Sequence, residues 1–375
     1  MIHSRHLKER YRVILGYAGT IFIGIAFLML LPLLAALLFG EEQTVAPLLG
    51  AIFCAVATGS LLRVIFKVDS EISLTIQEGG IIVLLAWTGA ILFSALPFIF
   101  AGQLNFTQAI FEATSGWTTT GLSVVDVTQT PKSFLLWRSV MQFIGGAGFS
   151  VIMLSAIIGP LGSGLFNAEG HSDKLLPNVA QSAKMIMVIY LSYAAAGVVL
   201  YALAGMSWFD AVIHTMSSLS TGGFSTQVNS IGDYNRFAIE AVTMILMMLG
   251  ATSFSAHYLL FSRRLKEFLR VQEMQLLWAL LLFFVPIVVF FSIGSFYPSI
   301  TISLRTAIFQ VVSALTTTGY QTVDLRTWSD FPRSFLILLM IIGGMAGSTA
   351  GGIKPYRILI MLKSFIWNIH GYFLP

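Results

Sequence analysis

The chain has few charged residues and a single cysteine. Asp, Glu, Lys and Arg together make up 10% of its 375 residues, whereas hydrophobic residues make up 56%. A soluble domain carries about 25% charged residues, so this composition excludes a water-soluble globular chain and indicates a surface that faces lipid. Because Cys54 is alone and lies inside an apolar run, a disulfide framework and a thiolate metal site are excluded as well.

Basic residues only slightly outnumber acidic ones, giving a formal net charge of +4. They lie in short loops between apolar runs and form no contiguous basic face, so we expect no nucleic-acid partner. The basic N-terminal segment precedes an apolar run that is longer than the core of a signal peptide. This run has no small-residue cleavage site, so we expect the N-terminus to be retained.

Long apolar segments predict an all-α polytopic membrane protein. About 20 apolar residues cross a bilayer, and eight segments fit this length: residues 13–39, 45–66, 79–100, 135–159, 185–205, 237–261, 274–296 and 335–353. Three shorter, half-polar segments, 106–117, 208–219 and 303–315, have the length and composition of re-entrant pore helices. If the N-terminus is cytoplasmic, 15 of the 21 Lys and Arg residues lie on the cytoplasmic side, which satisfies the positive-inside rule.

A unit of about 100 residues is repeated three times. The copies read FEATSGWTTTGLS, IHTMSSLSTGGFS and FQVVSALTTTGYQ, and they align without gaps on Gly121, Gly223 and Gly319. The glycine is preceded in every copy by a serine six positions earlier and a polar residue nine positions earlier, namely Ser115, Ser217 and Ser313, and Glu112, His214 and Gln310. Each copy is followed, 25 to 27 residues after its glycine, by a stretch of small residues beginning at Gly146, Gly250 and Gly344.

This repeat predicts a unit of helix, pore helix, loop and helix. One Gly and Thr segment between apolar runs is compatible with an ordinary loop, but three copies in register favour a shared pathway. Backbone carbonyls replace the hydration shell of a cation without adding a net charge. Glycine permits the backbone dihedrals that aim consecutive carbonyls to one side, and neighbouring hydroxyls add oxygen atoms. Asn105 with Gln108, and Ser207 with Asp210, have the pattern of helix N-terminal caps.

The loops TTTGL, STGGF and TTTGY, the sequence LWRS at residues 136–139 and the run GGMAGSTAGGIK from Gly343 to Lys354 resemble a known family. They look like the Trk, Ktr and HKT superfamily of potassium transporters, and most like the bacterial TrkH type. The resemblance covers residues 79–363. It implies an N-terminal two-helix domain (1–78) and pore repeats at 79–182, 183–273 and 274–375, the last with a gate-like loop.

The resemblance implies potassium uptake through a filter, in an inner-membrane protein with a cytoplasmic N-terminus. The residues expected to bind potassium are Thr119, Thr120, Gly121, Thr221, Gly222, Gly223, Thr317, Thr318 and Gly319. The residues expected to form the gate are Gly343, Gly344, Gly347, Ser348, Thr349, Gly351, Gly352 and Lys354. We expect potassium as the transported ion, no bound cofactor, no enzymatic activity, a homodimer, and a TrkA-like nucleotide-binding regulator on the cytoplasmic side. Transport is interpreted as passive or ion-coupled.

The family has four such units, whereas the sequence reaches Pro375 just after the third. We therefore expect the fourth repeat to be absent, as in a fragment, a truncated product or a chain completed by another polypeptide. The alternatives are a non-conducting subunit and a sodium-permeable transporter. Because sodium-preferring members often have serine at a filter glycine, the three glycines favour potassium.

Several single residues have two interpretations. Glu112, His214 and Gln310 either coordinate ions or brace the filter from behind, and the second is favoured. Asp126 and Asp324 either attract cations to the mouth or are solvated loop carboxylates. Arg138 is interpreted as an interfacial anchor, and the segment Ser262–Arg270 as a docking face for a regulator or a cytoplasmic retention signal.

Overall fold

The structure, a computed structural model, describes residues 2–66, 76–148, 179–292, 297 and 299–373, in two compact units. The first unit ends at Val188 and the second begins at Ile189, within one helix. Helices form the regular structure of both units, with no β-sheet among the described residues, so the all-α prediction is confirmed.

In its described part, the first unit contains six complete helices, three of them long and apolar and three shorter. Its helices are α1 (Ile2–Leu28), α2 (Leu30–Phe39), α3 (Glu42–Ile65), α4 (Ile76–Phe100), α5 (Phe106–Trp117) and α6 (Lys132–Gly146). Residues Arg10–Phe39 of α1 and α2 together have the length and composition of one membrane span. The helix α3 packs between α1 and α4, and α5 packs against both α4 and α6.

Two tryptophans, one in α5 and one in α6, attach these helices to α4. The Trp117 indole N–H donates to the Ser94 hydroxyl at 2.8 Å, and the Trp137 indole N–H donates to the Ser94 carbonyl at 3.2 Å. All three residues are buried, so the indole donors, which cannot reach water, are satisfied within the protein. This arrangement places the C-terminus of α5 deep inside the first unit.

The second unit begins within α7 (Val179–Leu203) and again contains short helices next to longer ones. Its other helices are α8 (Trp208–Leu219), α9 (Phe237–Ala251), α10 (Phe254–Phe261), α11 (Leu265–Leu269), α12 (Gln272–Ser292), α13 (Ile300–Leu315), α14 (Asp330–Ile342) and α15 (Pro355–Phe373). The helix α13 packs against α12, α14 and α9, and α8 packs against α9.

The three short segments predicted as pore helices are the helices α5, α8 and α13. The bounds of α5 and α8 agree with the prediction, and α13 begins three residues earlier than residue 303. Asn105 and Gln108 form a reciprocal capping box, and the Ser207 side chain accepts from the Asp210 N–H, so both predicted caps are present. These local signals determined the helix starts because each involves only neighbouring residues.

The predicted count of eight spans is not confirmed. Five helices of the described part are long and apolar enough to cross a membrane, or six if one bent pair is a single span. The predicted span 237–261 is that bent pair: α9 and α10 meet at 105°. The predicted span 335–353 is helical only to Ile342, and the predicted span 135–159 continues past Gly146 into residues outside the described ranges.

Both helix breaks are held by backbone hydrogen bonds to another segment. The Met345 N–H donates to the Ala251 carbonyl at 2.9 Å, and the Thr349 N–H donates to the Gly250 carbonyl at 3.1 Å. These carbonyls belong to the last turn of α9, where carbonyl groups have no hydrogen-bond donor within the helix. Hydropathy alone detects no such partner, because the acceptor and the donor are about 100 residues apart in the chain.

Candidate functional site

The short helices α5, α8 and α13 end in the same hydrogen-bonded turn. The carbonyl of the serine shared by all three repeats accepts the N–H of the residue before the repeat glycine: Ser115 from Thr120 at 2.9 Å, Ser217 from Gly222 at 2.8 Å and Ser313 from Thr318 at 3.0 Å. A second bond joins the preceding threonine to the next carbonyl along the helix: Thr119 to Gly116, Thr221 to Ser218 and Thr317 to Ala314. This pair of bonds is the Schellman motif, which closes the end of a helix.

A threonine occupies the left-handed position of each turn. The φ angles of Thr119, Thr221 and Thr317 are 55°, 51° and 55°. Glycine is the usual residue here, and a β-branched residue in this region is strained. The repeat glycines that follow two residues later, Gly121, Gly223 and Gly319, also have positive φ angles of 80°, 76° and 81°. Strain of this kind, repeated three times at one register, is typical of functional sites.

Hydroxyl pairs join the residues next to the strained threonine in two loops. The side chains of Thr118 and Thr120 lie 2.7 Å apart, and those of Thr316 and Thr318 are also 2.7 Å apart. In the second loop the position before the glycine is itself a glycine, Gly222. Two of the three predicted filter loops therefore share the same side-chain arrangement as well as the same backbone.

The polar residues nine positions before each glycine contact the chain just after the loop. Glu112 accepts from the Ser123 hydroxyl at 3.0 Å and the Val124 N–H at 3.0 Å. His214 Nε2 lies 3.0 Å from the Ser225 hydroxyl. The third member of this series, Gln310, donates to the Thr322 hydroxyl at 3.3 Å. All three are buried, and their partners support the bracing interpretation over ion coordination.

Arg138 is not an exposed interfacial anchor, so that interpretation was wrong. Its side chain is 2% exposed, and its Nε donates to the Glu112 carboxylate at 2.6 Å. A second nitrogen donates to the Ser123 hydroxyl at 2.8 Å. Because a charge out of water requires a paired and hydrogen-bonded partner, the fold places Arg138 directly beside Glu112. This pairing was not predicted, because the two residues lie 26 positions apart in the chain.

A second ion pair connects the helices α9 and α13. Arg305 donates to both oxygens of Glu240 at 2.7 Å, in a bidentate arrangement. Glu240 is 5% exposed at its side chain and Arg305 is 33% exposed. Sequence reasoning missed this pair because the two residues belong to different repeat units.

The second and third loops lie against each other within the second unit. The Tyr320 hydroxyl donates to the Phe224 carbonyl at 2.9 Å. A Cβ atom placed on Gly223 would collide with the Thr318 carbonyl, whereas one placed on Gly319 would meet open space. Glycine at 223 is therefore required by a close backbone approach in addition to its φ angle.

The segment 343–354, here called the gate segment, packs against these two loops. The Thr349 hydroxyl donates to the Leu219 carbonyl at the end of α8, at 2.9 Å, and lies 3.3 Å from the Thr221 hydroxyl. The Gly351 N–H donates to the Thr317 hydroxyl at 2.7 Å. The gate segment thus contacts the strained threonine of both loops.

The gate segment also folds back on the end of α14. The N–H groups of Ile353 and Lys354 donate to the carbonyls of Ile341 and Ile342 at 2.8 and 3.0 Å. A Cβ on Gly343 would collide with the carbonyl of Gly351, and one on Gly352 would lie 2.6 Å from the Cα of Gly343. Glycine is required at these crossing points.

One carboxylate joins the gate segment to the start of the helix that follows it. Glu273 Oε1, at the start of α12, accepts the N–H groups of Ala346 and Tyr356, each at 3.1 Å. The ammonium group of Lys354 donates to the Ala350 carbonyl. The other predicted gate residues lie in the same segment. A Cβ on Gly344 would lie 3.0 Å from the Ala251 carbonyl oxygen. The Gly347 carbonyl accepts from the Phe254 N–H at 3.0 Å, and the Ser348 hydroxyl donates to the Met345 carbonyl at 2.6 Å.

Asp126 and Asp324, the acidic residues after the first and third loops, are exposed and hold local turns. Thr128 donates to Asp126 from its hydroxyl at 2.7 Å and its N–H at 2.9 Å, and these bonds lower the pKa of the Asp126 carboxyl. Asp324 accepts the Arg326 N–H at 2.9 Å. Within the described ranges, no group of three His, Cys, Asp or Glu side chains could hold a metal ion.

Long apolar helices combined with repeated units of short helix, strained loop and following helix define an integral, multi-pass membrane protein. The family model described as "TrkH: Cation transport protein" matches residues 48–375. The chain therefore belongs to the TrkH family of cation transport proteins, as the resemblance predicted. The match begins at residue 48, whereas the resemblance was predicted to begin at residue 79.

Known relatives agree with this assignment over nearly the whole chain. "Trk system potassium uptake protein TrkH" of Halomonas elongata is 33% identical over 367 residues, which are 94% of this chain and 75% of the relative. "Trk system potassium uptake protein TrkG" of Escherichia coli is 34% identical over 367 residues, 94% of this chain and 74% of the relative. The crystal structure of the potassium transporter TrkH from Vibrio parahaemolyticus matches with a TM-score of 0.85 and 30% identity, covering 96% of this chain and 77% of that one.

Proposed function

We propose that this protein moves potassium ions across a bacterial inner membrane as a Trk-type uptake protein. Support comes from its relatives, which are named as Trk system potassium uptake proteins in several bacteria. Their names describe transport and no enzymatic reaction, and we propose none here. The transported ion is the cargo and not a resident cofactor.

One observation carries the proposal: three short helices end in the same Schellman turn, with a left-handed threonine and a positive-φ glycine. Such a turn reverses the chain direction within a few residues and sets the carbonyls of the loop outside the regular helix pattern. The helix behind it adds partial negative charge at its C-terminus, which favours a cation beyond that end. The geometry therefore suits dehydration of a monovalent cation by backbone oxygens.

In this proposal the residues that contact the ion are Thr119 to Gly121 in the first loop, Thr221 to Gly223 in the second, and Thr317 to Gly319 in the third. The second and third loops are joined through Tyr320 and Phe224. The first loop is assigned to the same ion path because its backbone has the same conformation and because the chain belongs to the family. The buried braces Glu112, His214 and Gln310 stiffen the loops from behind and do not contact the ion.

The gate segment, residues 343–354, controls passage in this proposal. Five glycines and small side chains let it fold back tightly. It is held by hydrogen bonds to the loops, to α9, α10 and α14, and to Glu273. The neutral bonds contribute about 1 kcal/mol each, those to the Glu273 carboxylate about 1.5–3 kcal/mol, and they can be exchanged one at a time. The segment is therefore suited to move while the long helices stay in place.

For the assembly we propose a homodimer with a cytoplasmic N-terminus and a nucleotide-binding regulator of the TrkA type on the cytoplasmic face. The word "system" in the names of the relatives supports a multi-component assembly. The excess of Lys and Arg on one side of the predicted spans supports the orientation.

The proposal is tested by ion uptake in bacteria that lack their own potassium uptake systems, with the protein expressed from its own gene. We compare the wild type with Gly319→Ser, whose side chain would meet open space but whose φ angle of +81° constrains the loop. The matched control is Gly102→Ser, because Gly102 also has a positive φ (+67°) and open space around its missing Cβ, but lies in a turn after α4.

We expect the wild type to restore growth on low potassium, Gly319→Ser to lower the preference for potassium over sodium, and Gly102→Ser to change neither. Sodium uptake by the wild type would identify a sodium-permeable transporter. An identical preference in wild type and Gly319→Ser would contradict the assignment of the filter.

A further inference from the structure

An apolar groove opens between the helices α9, α11, α12 and α13 in the second unit. Its volume is about 710 Å³, within the range of small-molecule sites. The lining includes Met244, Met248, Phe268, Trp278, Leu282 and Ile308. Trp278 and Leu282 are 52% and 76% exposed, so the groove is open along its length toward the outside of the unit.

The lining of the groove is almost entirely apolar. Among its lining residues only Thr252 carries a hydroxyl, and this hydroxyl donates to the Met248 carbonyl at 2.8 Å. All other lining side chains are hydrocarbon, thioether or aromatic, apart from the indole N–H of Trp278. The lining therefore suits a hydrocarbon chain.

One end of the groove is formed by a short amphipathic helix. Phe268 of α11 lines the groove, while Leu265 and Leu269, on the same helical face, are exposed. The basic residues of this segment, Lys266 and Arg270, are four positions apart on the other face. A short helix with one apolar and one basic face is typical of a segment that lies in the headgroup layer of a membrane.

The charge on this segment is not neutralised by its neighbours. The only carboxylate within it, Glu267, pairs with Arg264 at 2.6 Å. The next carboxylate along the chain, Glu273, accepts the N–H groups of the gate segment. Within the part of the chain that the structure describes, Arg263, Lys266 and Arg270 form no ion pair.

We propose that this site binds one anionic glycerophospholipid. An acyl chain occupies the groove against Met248 and Trp278, and the phosphate group lies at the basic face of α11, near Lys266 and Arg270. Charge complementarity selects the occupant: a hydrocarbon chain that ends in an anion matches an apolar groove that ends in unpaired cations. A neutral lipid would fill the groove without using the cations.

The test uses the purified protein in phosphatidylcholine vesicles in which the mole fraction of lipid with brominated acyl chains is increased stepwise. Bromine quenches tryptophan fluorescence on contact, and Trp278 lies in the groove. The signal of Trp278 is the difference between the wild type and Trp278→Phe. The probes are brominated phosphatidylglycerol, which is anionic, and brominated phosphatidylcholine, which is zwitterionic. We expect phosphatidylglycerol to quench Trp278 at lower mole fractions than phosphatidylcholine.

Two variants separate the headgroup from the groove. Each cation near an anionic lipid contributes roughly fivefold in affinity, so Lys266→Gln with Arg270→Gln should reduce the preference for phosphatidylglycerol on the order of tenfold or more. Ala241→Phe, which fills the groove, should reduce quenching by both lipids. The control, Arg326→Gln with Arg333→Gln, removes the same charge from the loop before α14 and from the first turn of α14, and should change neither.

Three outcomes would overturn the proposal. Equal quenching of Trp278 by the two lipids would show that the cations do not select a headgroup. Absence of quenching by either lipid, with cross-linking of the Leu282→Cys variant to a second copy, would assign the groove to a protein contact. Loss of binding by a soluble regulator in the Lys266 and Arg270 variant, with the lipid preference unchanged, would assign the basic face to that regulator.

Discussion

The N–H of Gly351 donates a hydrogen bond of 2.7 Å to the hydroxyl of Thr317. Gly351 belongs to the gate segment, and Thr317 is the left-handed residue of the third loop, with a φ of 55°. The proposed gate therefore contacts a strained residue of the proposed filter directly. Movement of the gate segment changes a hydrogen bond at the loop directly, with no intervening helix.

Replacing Thr317 with valine tests this connection. Valine keeps the β-branched shape, and hence the strain, but removes the acceptor for Gly351. Loss of a hydrogen bond worth about 1 kcal/mol should increase the population of the released gate segment roughly fivefold. We expect higher basal potassium flux and faster amide exchange at Gly351. Thr317→Ser keeps the hydroxyl and should behave like the wild type, so equal exchange in all three proteins would contradict the connection.

Glu273 should hold the gate segment in place. One of its oxygens accepts two N–H groups, from Ala346 inside the segment and from Tyr356 just after it, and hydrogen bonds to a charged group are worth about 1.5–3 kcal/mol. Glu273→Ala should raise basal flux at least tenfold by that estimate, and Glu273→Gln should lie between alanine and wild type because it keeps an acceptor without the charge. Flux through Glu267→Gln, an exposed carboxylate on α11, is the control. Similar flux in Glu273→Ala and Glu267→Gln would count against the role of Glu273.

The buried pair of Glu112 and Arg138 should be required for stability. Removing one partner leaves an uncompensated buried charge, so we expect Glu112→Gln or Arg138→Met to destabilise the protein by about 3–5 kcal/mol. The double variant should lose less than the sum of the two. An exposed pair, Arg333 with Asp330, is the comparison and should contribute less than about 1 kcal/mol. Thermal unfolding in detergent measures these changes, and additive losses in the double variant would be inconsistent with a direct pair.

Gly250 should not tolerate a side chain. A Cβ there would collide with the Leu219 carbonyl at the end of α8, and the Leu219 carbonyl also accepts from Thr349. Gly250→Ala should therefore lower both the unfolding temperature and potassium uptake. Gly371→Ala is the control, because Gly371 lies in a helix with nothing near its missing Cβ, and alanine there should stabilise the helix by up to about 1 kcal/mol. Equal behaviour of the two variants would argue against the close contact.

Features that depend on neighbouring residues were predicted correctly. The bounds of α5 and α8 and their N-terminal caps follow from residues within one helical turn of each other. The alignment of the three repeats is also seen in the structure. The shared serine, threonine and glycine positions have the same helix-end backbone hydrogen bonds and similar φ angles in all three copies. Whether the three loops bind potassium is a separate matter that remains a prediction.

Features that depend on distant residues were missed. Arg138 was assigned to the membrane interface because basic residues near span ends commonly lie there, but burial beside Glu112 decided its position. The span predicted over 237–261 is bent because the gate segment supplies hydrogen bonds to the last turn of α9. Hydropathy reports the length of an apolar run and carries no information about such partners.

The sequence by itself determined the class of this protein, its three repeats and its family, because apolar run length, repeat register and glycine position are properties of the chain order. Only the tertiary structure showed that Thr317 and Thr349 connect the gate segment to the loops, that Glu273 binds N–H groups within and just after that segment, and that Arg138 neutralises Glu112. The physical reason is that a buried charge or backbone N–H must find a partner, and the fold, not the spacing along the chain, decides which one is near.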